Sequence, residues 1–389
     1  MNKAPEYQKI WEQQGKILRD PKEIFGASYD HAMITRQSLY FKTSPSFAQI
    51  LYKRQATIFV SREYENLLVA FFSPDGHSLV QTYFHVPHPS GIAVDADNQT
   101  LYIASTRNPN QIFEFHGAET TAIAHTRASV LLPTRAKFYP GSYYFHDLSF
   151  IQKSLYANAV GLNAIIKVDL SKSTPDIPVW WPRSIENSKG RPQHQKNFIQ
   201  LNSIAAGATL KDSFFTASGE KIGKRLPGQK NYLVRDRGVV FSGRNREVIA
   251  RGLTRPHSAR LSGERIWLAN SGFGTVGYIH SGVYRPVLCC DAWTRGLCFL
   301  DNRILLAGTS RILPRFEKYA PGVDPAKARC AVHAFDIKTE TLLGSLAFPY
   351  GNQIFSIAVL YGSSPFAFPY TKARYSTRSE KSLFYQSNL

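Results

Sequence analysis

Cysteine is scarce, acidic residues are few and long apolar runs are missing. Only 4 Cys occur among 389 residues, two of them adjacent (Cys289, Cys290), and no Cys-x-x-Cys exists. This argues against a disulfide framework or a paired-thiol motif. No run of 18 apolar residues is present, which excludes a membrane-spanning helix from the sequence. The opening stretch MNKAPEYQKIWEQQGKILRD lacks the apolar heart of a secretory leader. The expectation is therefore a reduced, cytoplasmic protein. There is no Gly-x-Ser-x-Gly elbow, no Walker loop and no dinucleotide fingerprint. Paired carboxylates for glycoside hydrolysis cannot be assigned.

The shortage of acid sets the bulk charge. With 28 Asp+Glu against 47 Lys+Arg, the formal net is +19. Such a balance favours an anionic partner: nucleic acid, an acidic membrane surface, an acidic protein or an acidic small molecule. The basic residues are spread out, densest between Lys221 and Arg237 and between Arg244 and Arg255. No basic tail, zinc finger or RNA-binding sheet motif accompanies them, so nucleic acid is disfavoured.

What is there is β structure. Residues 3 to 20 carry a short amphipathic pattern, with Tyr7, Ile10, Trp11 and Ile17 near one helical face. Beyond it the chain breaks into short runs rich in β-branched and aromatic residues (ATIFVS, LLVAFF, TLYIAS, AIIKVDL, RIWLANS, RILLAGTS, AVHAFDI), each bounded by turn formers. Six segments repeat one shape, a polar or special residue followed by a small one and an apolar strand. They start at Ser90, His146, Asn202, His257, Arg295 and Phe355, at spacings of 56, 56, 55, 38 and 60. About ten residues after each of the first five lies a second strand ending in small polar residues. Units of this size are those of propeller blades, and radial stacking is how such sheets cover their faces and edges. The expected fold is an all-β, six-bladed β-propeller of four-stranded antiparallel blades, with a short N-terminal helix and a C-terminal tail. The expected organisation is a helical extension over 1–45, a ring over 46–365 closed by strands 57–85 joining 355–361, and a tail over 366–389. Insertions fall at 171–198 and 311–330. A pair of packed β-sheets is the competing architecture.

Inner strands line a propeller's channel, so the six starts define one ring of side chains. Ser90, His146, Asn202, His257 and Arg295 make that ring unusually polar, with Phe355 as its sixth member, and a ligand site is expected there. His146 and His257 are the acid–base candidates, with Asp147 beside them. Arg295 suits a carboxylate, sulfate or phosphate. Asn202, Ser90, Asn158, Asn270 and Arg311 are further ligand-binding candidates, and Asn163 lies in a neighbouring loop. The cofactor stays unassigned. The two His and Asp147 can hold a divalent ion, but no zinc spacing is present and carboxylates are too few for calcium, so a metal is not favoured. Trp267 and Trp293 suit an aromatic wall or a blade core equally. Trp180-Trp181-Pro182 suits a cover over the mouth or the packing of an insertion.

His-Pro-Ser-Gly-Ile-Ala-Val (88–94), Phe-His-Asp-Leu-Ser-Phe (145–150), Gly-Leu-Thr-Arg-Pro-His-Ser-Ala-Arg (252–260), Trp-Leu-Ala-Asn-Ser-Gly-Phe-Gly (267–274) and Thr-Arg-Gly-Leu (294–297) resemble a bacterial family of conserved hypothetical proteins, the domain of unknown function 4915. The resemblance runs from about Phe47 to Leu360. It implies a six-bladed propeller similar to the lactonase and strictosidine-synthase-like group, and it implies no settled activity. One departure matters. Near the third start the family pattern reads Arg-Cys-His-Leu-Asn-Gly, whereas here Ile199 and Gln200 stand where it has Cys and His, and Asn202 is kept.

Together these readings favour a ligand-binding propeller acting on an anionic small molecule or peptide in a bacterial biosynthetic pathway, as an enzyme of hydrolase, lyase or isomerase type. The alternative is a non-catalytic scaffold for an acidic protein partner, or a homo-oligomer.

Overall fold

In the computed structural model, residues 37–371 are described, apart from 107–109, 124–125, 140–142, 175 and 230. The amphipathic pattern at 3–20 and the chain after 371 lie outside them. Six antiparallel sheets are arranged around one axis, each with four core strands. The inner strands are Pro89–Asp95, Phe145–Ile151, Leu201–Ala205, Pro256–Ser262, Trp293–Phe299 and Ser356–Tyr361. We number the blades 1 to 6 in that order. Each inner strand touches the inner strands of both neighbours, so the ring is closed.

Six apolar clusters hold the ring, one between each pair of neighbouring blades. For example, Phe59 and Leu68 of blade 6 meet Ile92 and Leu101 of blade 1, and Trp267 of blade 4 meets Leu297 and Leu305 of blade 5. This is why the strands read as nearly continuous apolar runs: both faces of a blade are covered.

The chain ends build the closure. Ser356–Tyr361 is the inner strand of blade 6, and it pairs with Ala56–Arg62 in register Ile58↔Val359. Leu67–Phe72 and Val80–His85 complete that blade. The ring's limits extend past the boundaries read from the sequence. Lys42–Thr43 adds a fifth strand to blade 5. Tyr370–Thr371 adds one to blade 6, and Phe366–Ala367 adds one to blade 1, in parallel. The physical reason is edge protection, because an outer strand otherwise presents unpaired backbone groups. Helix α1 (Pro45–Lys53) starts at the N-cap Ser44, whose hydroxyl accepts from the Phe47 N–H, and carries Pro at its first position. It buries Phe47 and Leu51 against blades 5 and 6. No helix among the described residues is long and apolar enough to cross a membrane.

Hydrogen bonds from small polar side chains link each blade to the next inner strand. Ser61 donates to the Ser90 carbonyl at 2.7 Å, Ser90 to Phe145 at 2.9 Å, and Asn158 to Leu201 at 2.9 Å. Asn202 donates to Pro256 at 2.8 Å, Ser271 to Thr294 at 2.6 Å and Ser310 to Ile354 at 3.3 Å. A polar residue is needed at each of these points because a carbonyl buried between blades must find a donor.

Candidate functional site

Five of the six inner strands begin with an irregularity of register: at 89/92, 145/148, 201/203, 257/260 and 294/297. There a side chain on one strand captures a backbone N–H on the next. Asp147 accepts from Ile204 at 3.0 Å, Ser203 from Ala259 at 2.9 Å and Ser258 from Gly296 at 2.8 Å. These three residues occupy the same place in the repeat, directly after the starting residue. Asp147 therefore does in its blade what serine does in the next two. Its carboxylate is also held by both terminal nitrogens of Arg260, at 2.8 and 3.2 Å. Burial opposes the Arg260 charge, but Asp147 outweighs it and the guanidinium is held above its ordinary value.

One end of the channel opens into a cavity of about 820 Å³. Of the starting residues, His146, His257, Arg295 and Phe355 line it, and Arg311 lies on its wall. Asp147, Ser90, Asn158, Asn202 and Asn270 do not. Asp147 is committed to Arg260. Ser90, Asn158 and Asn202 are blade links, and Asn270 accepts from the Thr254 N–H at 2.7 Å. The Asn163 amide accepts from Phe198 at 2.7 Å and so ties down an insertion. Trp180 is buried on Phe215, 4.1 Å between ring centres, as insertion packing. Trp267 belongs to a blade core, whereas Trp293 lines the cavity.

A second ring of side chains, two residues before the starts, was missed in the sequence. It comprises His88, Tyr144, Gln200, Arg255, Trp293 and Gln353, and all but His88 line the cavity. Tyr144, Gln200 and Arg255 have φ of 52°, 52° and 53°. Positive φ in residues of this kind is strained and gathers at functional sites. The repeat alignment itself held the signal: stepping two residues back from each start gives this ring.

His257 is held in one tautomer. Ser271 uses its proton on the Thr294 carbonyl, so its oxygen accepts from His257 Nδ1, 2.9 Å away. The Arg255 carbonyl accepts from the same nitrogen at 2.8 Å. Nδ1 thus carries the proton, and Nε2 keeps its lone pair. Burial, then the charges of Arg295, His146 and Arg255, hold His257 well below its ordinary value, so it is neutral at pH 7. The His146 ring lies 6.3 Å from that of His257 and 4.7 Å from that of Tyr144, centre to centre.

The cations of the wall have few counter-charges. Arg295 is 6% exposed. Its guanidinium lies over Phe355, 3.2 Å from the ring centre. Oriented to satisfy both neighbours, the Gln353 amide accepts from Arg295 at 3.2 Å and donates to Glu63 at 3.2 Å. Arg255 is 3% exposed and donates to the Gln200 side chain and the Pro227 carbonyl, while its Nε–H has no acceptor. Burial pushes both guanidinium groups down to about 10, and both stay charged at neutral pH. Neither makes an ion pair among the described residues, where every salt bridge involves other groups. Lys196 and Arg311 also line the cavity, against the single carboxylate of Glu63. Among the described residues no group of three or more His, Cys, Asp or Glu is arranged to hold a metal ion.

Among solved structures the chain is similar to a propeller in a nidogen/laminin complex, with a TM-score of 0.53 and 9% identity over 78% of this chain and 98% of that one. It is also similar to a catalytically inactive virginiamycin B lyase from Staphylococcus aureus with quinupristin, with a TM-score of 0.40 and 14% identity over 75% and 76% of the two chains. At such identities the likeness speaks of fold alone. No curated protein matches the sequence. The family described as Domain of unknown function (DUF4915) matches residues 45–368. With its six-bladed ring and a match over most of its length, the chain belongs to the DUF4915 family.

Proposed function

We propose that this propeller binds an anionic small molecule or peptide in the cavity at its channel mouth, and that Arg295 is the principal anion contact. One observation carries the reading: Arg295 and Arg255 are buried cations in the wall of one cavity, neither forms a direct salt bridge among the described residues, and the nearby Glu63 charge offsets only part of the burial of Arg295. Burying an unpaired charge costs several kcal/mol, about the size of a whole domain's margin. An anion arriving from solution offsets that cost. A non-catalytic scaffold for an acidic protein draws less support, because three exposed arginines of blades 3 and 5 already face carboxylates: Arg244 with Asp212, Arg251 with Glu220 and Arg303 with Asp336.

The reading extends to acid–base catalysis. With Nδ1 tied to the backbone, His257 presents Nε2 as a base, and His146 stands within one ligand's length of it. An anion held at Arg295 has these two imidazoles beside it, the arrangement needed to take a proton from one atom and return it to another. Hydrolysis, elimination and isomerisation all use such a pair.

The test is a calorimetric and thermal-shift survey of carboxylates, phosphates and sulfates against the wild type and Arg295→Met. Anions are expected to bind and to raise the melting temperature of the wild type, with the gain lost in the variant. An absence of anion binding, or equal binding by both proteins, overturns the proposal.

A further inference from the structure

The cavity holds two buried guanidinium groups, and each ends a line of aromatic rings. The first line belongs to the inner strands and their leading residues. Tyr144 meets His146 at 4.7 Å between ring centres, His146 meets Phe355 at 5.3 Å, and Phe355 carries Arg295 at 3.2 Å. The second line starts beside Glu63 and runs into the insertion at 311–330. Tyr64 meets Phe316 at 6.2 Å, Phe316 meets Tyr319 at 6.0 Å, and Tyr319 carries Arg255 at 4.2 Å. Tyr144 is close enough to affect the electrostatics of both guanidinium groups, and so is His257.

This arrangement has a chemical reading. A guanidinium stacked on a ring keeps its edge donors for an acceptor in its own plane. Two of them on one cavity provide two separate anion positions, and each has used up few of its donors on the protein. Arg255 gives hydrogen bonds to Gln200 and Pro227, both neutral, so its charge is not cancelled there. Aromatic walls between the two positions favour a flat, apolar body. The volume of about 820 Å³ lies within the range of roughly 300–1,000 Å³ for pockets that enclose small molecules.

We propose that Arg255 is a second anion subsite, and that the cavity takes a flat dianion with one acidic group at Arg295 and the other at Arg255. This deepens the proposed function and rests on it. The two acidic groups can be carboxylates or phosphates; their common feature is an anionic oxygen pair able to meet a guanidinium edge.

The experiment compares matched rigid probes by isothermal calorimetry on the full chain. Benzoate and phenyl phosphate carry one acidic group; isophthalate, terephthalate and carboxyphenyl phosphate carry two. At least one dianion is expected to bind ~10-fold or more tightly than its monoanion, the return for one added charge-assisted contact. The carboxylate and phosphate arms show which acid each subsite prefers. Arg255→Gln is expected to abolish the gain, so that each dianion binds the variant no more tightly than its monoanion does. If benzoate binds and every dianion binds no better, the second subsite is refuted and the anion-site reading stands. If no probe binds, the anion-site reading falls and takes the subsite with it. Arg255 also fastens the 227 turn, so the melting temperature of Arg255→Gln is measured alongside. The comparison of mono- and dianions on the wild type is decisive even where that variant is unstable.

Discussion

Two arginine environments lie on neighbouring blades of this ring. Arg260 spans from blade 4 to Asp147 of blade 2 and is bonded through both terminal nitrogens. Arg295 of blade 5 is more deeply enclosed, yet among the described residues it meets a neutral amide and the face of Phe355, with the Glu63 carboxylate beyond that amide. Burial works against charge in both. In Arg260 a carboxylate reverses the result, and in Arg295 nothing on the protein does. The comparison separates a cation used to hold blades together from one held ready for something else. A charge completed within the fold is structural, and an uncompleted one beside a cavity is a reason to look for a ligand.

The largest expected effect breaks the completed pair. Asp147→Ala leaves the half-buried Arg260 without its carboxylate and strips the Ile204 N–H of its acceptor. A loss of about 3–5 kcal/mol in urea unfolding is expected. The double variant Asp147→Ala with Arg260→Leu should recover a large part of it, and if it recovers none the ion pair is not what the single change removed. Next comes Gly91→Ala, which presses on the same seam from blade 1. A Cβ there would stand 2.6 Å from the Asp147 Cα, against backbone that cannot rotate away. Overpacking of about 1–3 kcal/mol is expected in the same assay. An unchanged midpoint would mean the two strands can separate freely.

Arg295→Met probes the other side of the comparison. Unfolding free energy should hold or rise, since Met removes a buried charge whose desolvation the protein offsets only in part. Anion affinity should fall by roughly 10- to 100-fold. A variant that unfolds as readily as Asp147→Ala would erase the distinction between the two arginines.

The smallest effect is on pH dependence. The folded state holds His257 well below its unfolded value of 6.5. The unfolded chain therefore binds more protons below that pH, and stability, complete above 6.5, declines as pH falls toward the depressed value. His333 is held down to about 4 by burial and acts in the same direction. The test is thus the difference between the wild type and His257→Asn, and the variant should show the shallower decline. A bound anion favours the imidazolium, so anion affinity should rise modestly as pH drops below neutrality, with proton uptake seen when calorimetry is repeated in buffers of different ionisation enthalpy. Affinity that is flat or falls with acidification would remove His257 from the anion's neighbourhood.

Much of this architecture was legible in the chain. Strand starts at Ser90, His146, Asn202, His257 and Arg295 show in the sequence because a propeller repeats one local problem, a carbonyl and an N–H buried between blades, and solves it with similar small polar residues. The same cause limited the reading of function. Asn158, Asn202 and Ser90 are polar because the fold requires donors there, so polarity at a channel does not by itself mark a ligand site. Asp147 next to a histidine suggests catalysis until its place is compared with Ser203 and Ser258, which accept the equivalent N–H in their blades. Arg260, three residues after His257, gives no local sign that it will reach a carboxylate 113 positions away. The ring of Tyr144, Gln200 and Arg255 escaped because left-handed backbone is expected at glycine, and none of these is glycine. The fifth strands at the chain ends are two residues long, too short to carry a periodicity.

The closure of blade 6 has a consequence for biosynthesis. Ala56–Arg62 is translated well ahead of its inner neighbour Ser356–Tyr361, with five blades of chain between them. Until Ser356–Tyr361 arrives, Ile58, Phe59 and Val60 border an open sheet edge, the kind of surface that recruits wrong partners. A nascent chain stalled ahead of Ser356 should be cut readily by protease within its first strands and bound by holding chaperones. One extended past Thr371 should resist both, so the ring of this protein closes only once the strand from Ser356 has been made.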